Sequence, residues 1–84
     1  MTYELHHLAA GSYDLVHDGV VMGSVVRSVS RYGEPRGWHA ELLEDLPPER
    51  RPHPFSKIEH RFTSLEAVTS WLGGAVVVTV TEAA

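Results

Sequence analysis

The sequence predicts an α+β domain in which a three- or four-stranded antiparallel sheet packs on one C-terminal helix, in the order β-β-β-α with extra terminal strands allowed. Polar and apolar residues alternate on both sides of Asp18-Gly19, as they do in a β-hairpin. Leu65, Val68 and Leu72 recur at helical spacing. Gly73-Gly74 follows them directly, which is a common helix end.

The length and composition indicate a single domain over residues 1–84, because so short a chain can build only one core. It has no cysteine, so neither a disulfide nor a thiolate metal site can stabilise the fold. The first residues lack the features of a signal peptide, and no apolar run is long enough to span a membrane. We therefore expect a cytoplasmic protein without a membrane contact.

The first part of the chain is predicted to form a hairpin and an additional segment. Residues 3–10 are ambiguous between a strand and one helical turn, and we favour the strand. Residues 12–17 alternate in polarity, Asp18-Gly19 suits a two-residue turn, and residues 20–30 are rich in β-branched side chains. Gly23 indicates a bulge or a close approach of two backbones.

A loop with two glycines and a proline, residues 31–37, precedes the next alternating segment, residues 38–42. That segment is predicted to be a strand in which every second side chain faces the core. The helix residues Leu65, Val68 and Leu72 should then contact Leu15, Val21, Val25, Trp38, Ala40 and Leu42.

Residues 44–57 are predicted to form an exposed, semi-rigid loop. It contains four prolines within eight residues, which remove backbone donors and exclude both a helix and a central strand. After it, residues 55–62 could re-enter the sheet.

The helix is predicted over residues 64–72, with Thr63 capping the amide of Glu66. The uncharged, β-rich residues 75–81 that follow are either a last strand or an edge that needs a partner, such as a second copy in a homodimer.

No catalytic motif is found, so we assign no catalytic residue, no cofactor and no enzymatic activity. Six histidines leave a histidine-based metal protein as an alternative. The spacing opposes it, because the adjacent His6 and His7 would point to opposite faces of a strand. No metal ligand is therefore assigned.

The charges are unevenly distributed. Residues 1–49 hold three basic and eight acidic side chains, whereas four basic residues lie between positions 50 and 61. A negative chain is repelled by nucleic acid at long range, so DNA binding would require a local basic patch. The candidate binding residues are Arg27, Arg31, Tyr32, Arg36, Arg50, Arg51, His53 and Lys57.

The order of hairpin, third strand, loop and Phe62-Thr63-Ser64-Leu65-Glu66-Ala67-Val68 resembles the β-β-β-α arm-type DNA-binding domain of phage-type integrases. The similar segments span residues 13–72. The resemblance implies a sheet-plus-helix shape with a face that binds a DNA groove. The chain differs from the family in being acidic and in carrying the proline-rich loop between the third strand and the helix.

Together these features favour a small, non-catalytic binding module that engages a protein partner, as an accessory or inhibitor-like protein. The expected contacts are an exposed sheet face and the proline-rich loop. The acidic first half favours a basic or nucleic-acid-handling partner. The alternatives are a DNA-binding module that uses the arginines, and the metal protein.

Overall fold

The structure is a computed structural model that describes residues 2–29, 32 and 35–79, without the side chains of residues 35 and 36. It contains strands, one helix and a short 3₁₀ turn. The elements are β1 Tyr3–Ala9, β2 Ser12–His17, β3 Val20–Val29, β4 Pro35–Leu42, the 3₁₀ turn Pro48–Arg50, β5 Glu59–Phe62, α1 Leu65–Trp71 and β6 Val76–Val78.

Over the described residues the strands form one six-stranded sheet in the order β5-β4-β3-β2-β1-β6. The predicted α+β class is confirmed, but the sheet has more than three or four strands. It is also mixed, because β6 pairs with β1 in parallel while the other neighbours are antiparallel. Two additions explain the difference: β5 extends the sheet beside β4, and α1 carries the chain back across the sheet so that β6 lies beside β1.

The predicted hairpin turn is confirmed. Asp18 and Gly19 have φ angles of 50° and 82°, the left-handed conformation that a two-residue turn between antiparallel strands requires. His17 and Val20 pair on either side of it. Residues 3–9 are a strand, as favoured from the sequence.

A bulge in β3 changes which side chains face the core. Leu15 pairs with Gly23, but the next residue of β2, Val16, pairs with Val21, so β3 carries one extra residue, Met22. Val21 was expected in the core, and this expectation was wrong: its side chain lies on the same face as Val16 and is 46% exposed. A strict two-residue alternation cannot anticipate such a shift.

The helix lies where it was predicted, but its cap does not. Ser64 is the N-cap residue, and its Oγ accepts a hydrogen bond from the amide of Ala67 at 3.1 Å. The expectation that Thr63 caps the helix was therefore wrong by one residue. Both residues carry a hydroxyl group and directly precede the helix, so the local sequence does not show which of them is the N-cap.

We expect Ser64→Ala to lower the free energy of unfolding by about 1 kcal/mol, because the Ala67 amide loses its acceptor. Thr63→Ala is the matched control and should change it by less than about 0.5 kcal/mol. Urea unfolding of both variants followed by tryptophan fluorescence would check this. A larger effect at Thr63 than at Ser64 would contradict the capping geometry.

The core lies between the sheet and a cover with two parts. The first part is α1, which contacts β4 and β5. The second part is residues 44–57, which we call the proline-rich segment; its Phe55 is 5% exposed. The buried core comprises Tyr3, Leu5, Leu15, Val25, Ala40, Leu42, Phe55, Val68 and Leu72, with Trp38 and Leu65 packed against it.

The proline-rich segment is exposed over much of its length but is tied down near its end. The hydroxyl of Tyr3 donates a hydrogen bond to the carbonyl oxygen of His53 at 2.7 Å. Burial, and secondarily the charge of Asp18, raise the pKa of Tyr3, which keeps it a donor. The Phe55 ring meets the Trp71 ring edge-on, with centroids 4.7 Å apart. The segment is therefore a cover for the core as well as a loop, because a short helix cannot cover six strands.

Candidate functional site

The sheet face opposite α1 and Phe55 is the candidate site, and we call it the open face. Its side chains alternate with the buried core residues along each strand. The register aligns one residue from each of five neighbouring strands across this face. This acidic row consists of His6, Asp14, Ser24, Glu41 and Glu59.

The carboxylates of the open face differ in their partners. A carboxylate oxygen of Glu4 lies 3.0 Å from Nε2 of His6, and a carboxylate oxygen of Glu59 lies 3.5 Å from Nε of Arg61. Among the described residues, neither Asp14 nor Glu41 has a salt-bridge partner. Two negative charges thus lie in one row with only Ser24 between them.

The flanking rows of the open face mix polar and apolar side chains. On one side lie Ser12, Val26, His39 and Arg61, where the Ser28 hydroxyl is 2.9 Å from His39 Nδ1. On the other side Val16 is 5% exposed and pairs with Glu4 and Val21. The open face therefore combines carboxylates with apolar side chains, as protein-binding surfaces do.

The sequence did not single out the acidic row. A partial signal was present, because Asp14 alternates with the inward-facing Tyr13 and Leu15 and the first half of the chain is acidic. The alignment of Asp14 with Glu41 and Glu59 depends on pairing between strands far apart in sequence.

The predicted basic residues are divided between the two ends of the strands. Arg27 pairs with Trp38 toward one end of β3, whereas the segment carrying Arg50, Arg51, His53 and Lys57 leaves β4 beside Gly23, at the other end. Gly23 and Arg27 are four residues apart along the strand, a distance of about 13 Å. Tyr32 is 83% exposed, while Arg31 and the side chain of Arg36 lie outside the described residues.

Arg51 has a structural role. Its Nε donates to the carbonyl oxygen of Leu46 at 2.9 Å, and its Nη1 donates to that of Ser56 at 2.8 Å. The guanidinium therefore joins the two ends of the proline-rich segment. Those donors are already used within the chain, which leaves fewer of them for an external phosphate.

His60 holds the end of the same segment. Its Nε2 accepts hydrogen bonds from the amides of Ser56 and Lys57 at 3.2 and 3.1 Å. Its ring lies 4.7 Å from that of Trp71. Burial, and secondarily the positive charge of Lys57, lower the pKa of His60, so the ring is neutral and able to accept at neutral pH.

We expect the protein to lose stability when the pH falls below 6.5, the ordinary pKa of a histidine. The unfolded chain takes up the His60 proton at a higher pH than the folded chain does. The contribution is therefore complete above that value, and it is lost as the pH falls through the lower folded-state pKa. Urea unfolding between about pH 7.5 and 4.5 would measure it.

His60→Gln is the control for this pH dependence, because glutamine also offers an acceptor but does not titrate. The variant should lose less stability than the wild type over the same pH range, since the remaining histidines and carboxylates are unchanged. Parallel losses in the two proteins would show that His60 is not the responsible group.

No three His, Cys, Asp or Glu side chains come close enough together to hold a metal ion in the part of the chain that the structure describes. Likewise, none of its helices has the length and apolar character needed to cross a membrane. Comparisons of the chain with family models, curated proteins and solved structures found no match.

Proposed function

We propose that this chain is a non-catalytic binding module whose open face binds a basic segment of a protein partner, in an accessory or inhibitor-like role. The observation that carries the proposal is the pair Asp14 and Glu41 in the acidic row, neither of which has a salt-bridge partner among the described residues. A protein gains little stability from such unpaired charges, whereas they favour a partner of opposite charge.

The spacing of the two carboxylates suits an extended segment of a partner. Asp14 and Glu41 are about 10 Å apart, the length of three extended residues.

The proposal is tested by fluorescence anisotropy with a labelled eight-residue peptide in which every third residue is lysine and the others are glycine. The double variant Asp14→Asn/Glu41→Gln should bind it about tenfold more weakly than the wild type at low salt, if each carboxylate contributes about 0.7 kcal/mol. The double variant Glu49→Gln/Glu66→Gln removes the same charge from exposed positions away from the open face and is the matched control.

Two outcomes would contradict the proposal: no binding of the lysine peptide by the wild type at low salt, or equal weakening by the two double variants. Equal weakening would mean that only net charge matters. The variants must show wild-type circular dichroism, so that a loss of fold is not mistaken for a loss of binding.

DNA binding through the arginines is the alternative. It is supported by the resemblance to integrase arm-type domains, but the separation of Arg27 from the proline-rich segment and the negative row between them do not favour it. A labelled DNA duplex titrated at two salt concentrations decides between them. Salt-dependent duplex binding without peptide binding would replace the protein-binding proposal by this one.

Self-association through β6 is a second candidate interaction. β6 is an edge of the sheet, and its residues Val76 and Val77 are uncharged and 56% and 39% exposed. Edge strands without charges invite pairing with another strand. Light scattering on the samples used for anisotropy would report a dimer directly.

A further inference from the structure

A small cavity lined by four apolar and two charged residues, which we call the pit, lies where the proline-rich segment leaves the sheet. The Leu43 amide donates to the carbonyl oxygen of Met22 at 2.9 Å, which brings the start of the segment against the start of β3. The cavity has a volume of about 250 Å³. Its lining consists of Val21, Met22, Leu43, Glu44, Leu46 and Arg50.

The pit is continuous with the open face through Val21. The bulge at Met22 pairs Val21 with Val16, which belongs to the open face, and Val21 also lines the pit. Leu43 directly follows β4, two residues after Glu41 of the acidic row. The acidic row therefore passes close to the pit where it crosses β3 and β4.

Two of the apolar side chains that line the pit are exposed to solvent. Val21 is 46% exposed and Leu43 is 67% exposed. Exposed apolar side chains that lie together mark an interaction site more often than isolated ones do. Contact with a partner would remove them from water.

The volume limits what the pit can hold. It is below the roughly 300 Å³ of the smallest common cofactor and drug sites. It exceeds the roughly 150 Å³ of a cavity that accepts benzene. It therefore suits one side chain of leucine or phenylalanine size.

We propose that the pit takes one large apolar side chain of the basic segment that the open face binds. This inference rests on the proposed function and adds a sequence requirement to the partner: an apolar residue about two positions away from the basic residue that pairs with Glu41. The carboxylates attract the segment, and the pit sets its position.

The test uses two labelled peptides of identical charge, built on the same lysine-glycine pattern, with either leucine or serine two positions after a lysine. The wild type should bind the leucine peptide about tenfold more tightly, as expected for partial burial of one leucine. Leu43→Ser should abolish this preference. Leu8→Ser is the matched control, because Leu8 is similarly exposed at 59% but lies on β1, outside the pit.

The outcomes separate this inference from the proposed function. Asp14→Asn/Glu41→Gln should weaken both peptides and leave the preference for leucine unchanged. Equal affinity of the wild type for the two peptides, or loss of the preference in Leu8→Ser as well, overturns the pit and leaves the acidic row intact. Failure of the wild type to bind either peptide overturns both proposals. Amide chemical-shift changes at Val21, Met22 and Leu43 with the leucine peptide alone would locate the anchor.

Discussion

Gly23→Ala is expected to lower the free energy of unfolding by at least about 3 kcal/mol, at or beyond the upper end of the usual range for overpacking. A Cβ at this position would lie 2.0 Å from the carbonyl oxygen of Glu41. The obstacle is backbone in the paired strand β4, which cannot move away without breaking the sheet. In a chain of this size such a loss would remove most of the stability.

Gly19→Ala provides a contrast with a different physical cause. Gly19 has φ of 82°, but an added Cβ would meet no atom within 4 Å, so only the backbone penalty of roughly 1–2 kcal/mol applies. Thermal melts followed by far-ultraviolet circular dichroism would compare the two variants. Equal melting temperatures would mean that β3 and β4 do not approach as closely as the structure indicates.

Phe55→Ala should cost about 3–5 kcal/mol, the range for removing a large aromatic side chain from a core. Phe55 is buried, and its ring meets those of Trp71 and His60 at centroid distances of 4.7 and 5.8 Å. Its loss would leave a cavity and would release the proline-rich segment from the sheet. Chemical denaturation monitored by tryptophan fluorescence would measure both the stability and the altered environment of Trp71.

Glu49→Ala serves as the control within the same segment, because Glu49 is exposed and should change stability by no more than about 0.5 kcal/mol. If Phe55→Ala behaved like Glu49→Ala, the segment would be an exposed loop throughout, as the sequence alone suggested. If the large effect appears, the arginines of the segment must be considered as parts of a packed cover.

These two variants also bear on the candidate site. Gly23 precedes Ser24 of the acidic row, and its lack of a side chain leaves room for the Glu41 carbonyl where β3 and β4 pair. Phe55 fixes one end of the segment that forms the pit at its other end. The site therefore depends on core packing that none of its own carboxylates provides.

Local features of the sequence determined the elements whose causes are local. The turn at Asp18-Gly19 follows from a pair that tolerates positive φ, and the helix near residues 64–72 follows from apolar spacing and the glycines after it. The close approach at Gly23 was likewise indicated by a glycine within a β-branched strand. At these positions the conformational preference of the residues themselves determines the local structure.

Only the tertiary structure decided the strand count, the face of Val21, the anchoring of Phe55 and the alignment of Asp14 with Glu41. Each depends on which distant residue lies opposite in the neighbouring strand. A single extra residue such as Met22 moves the side chains before it to the other face of the sheet. Alternation within one strand does not contain that information. The sequence thus predicted an acidic α+β domain, while cross-strand register and packing decided where the acidic row and the pit lie.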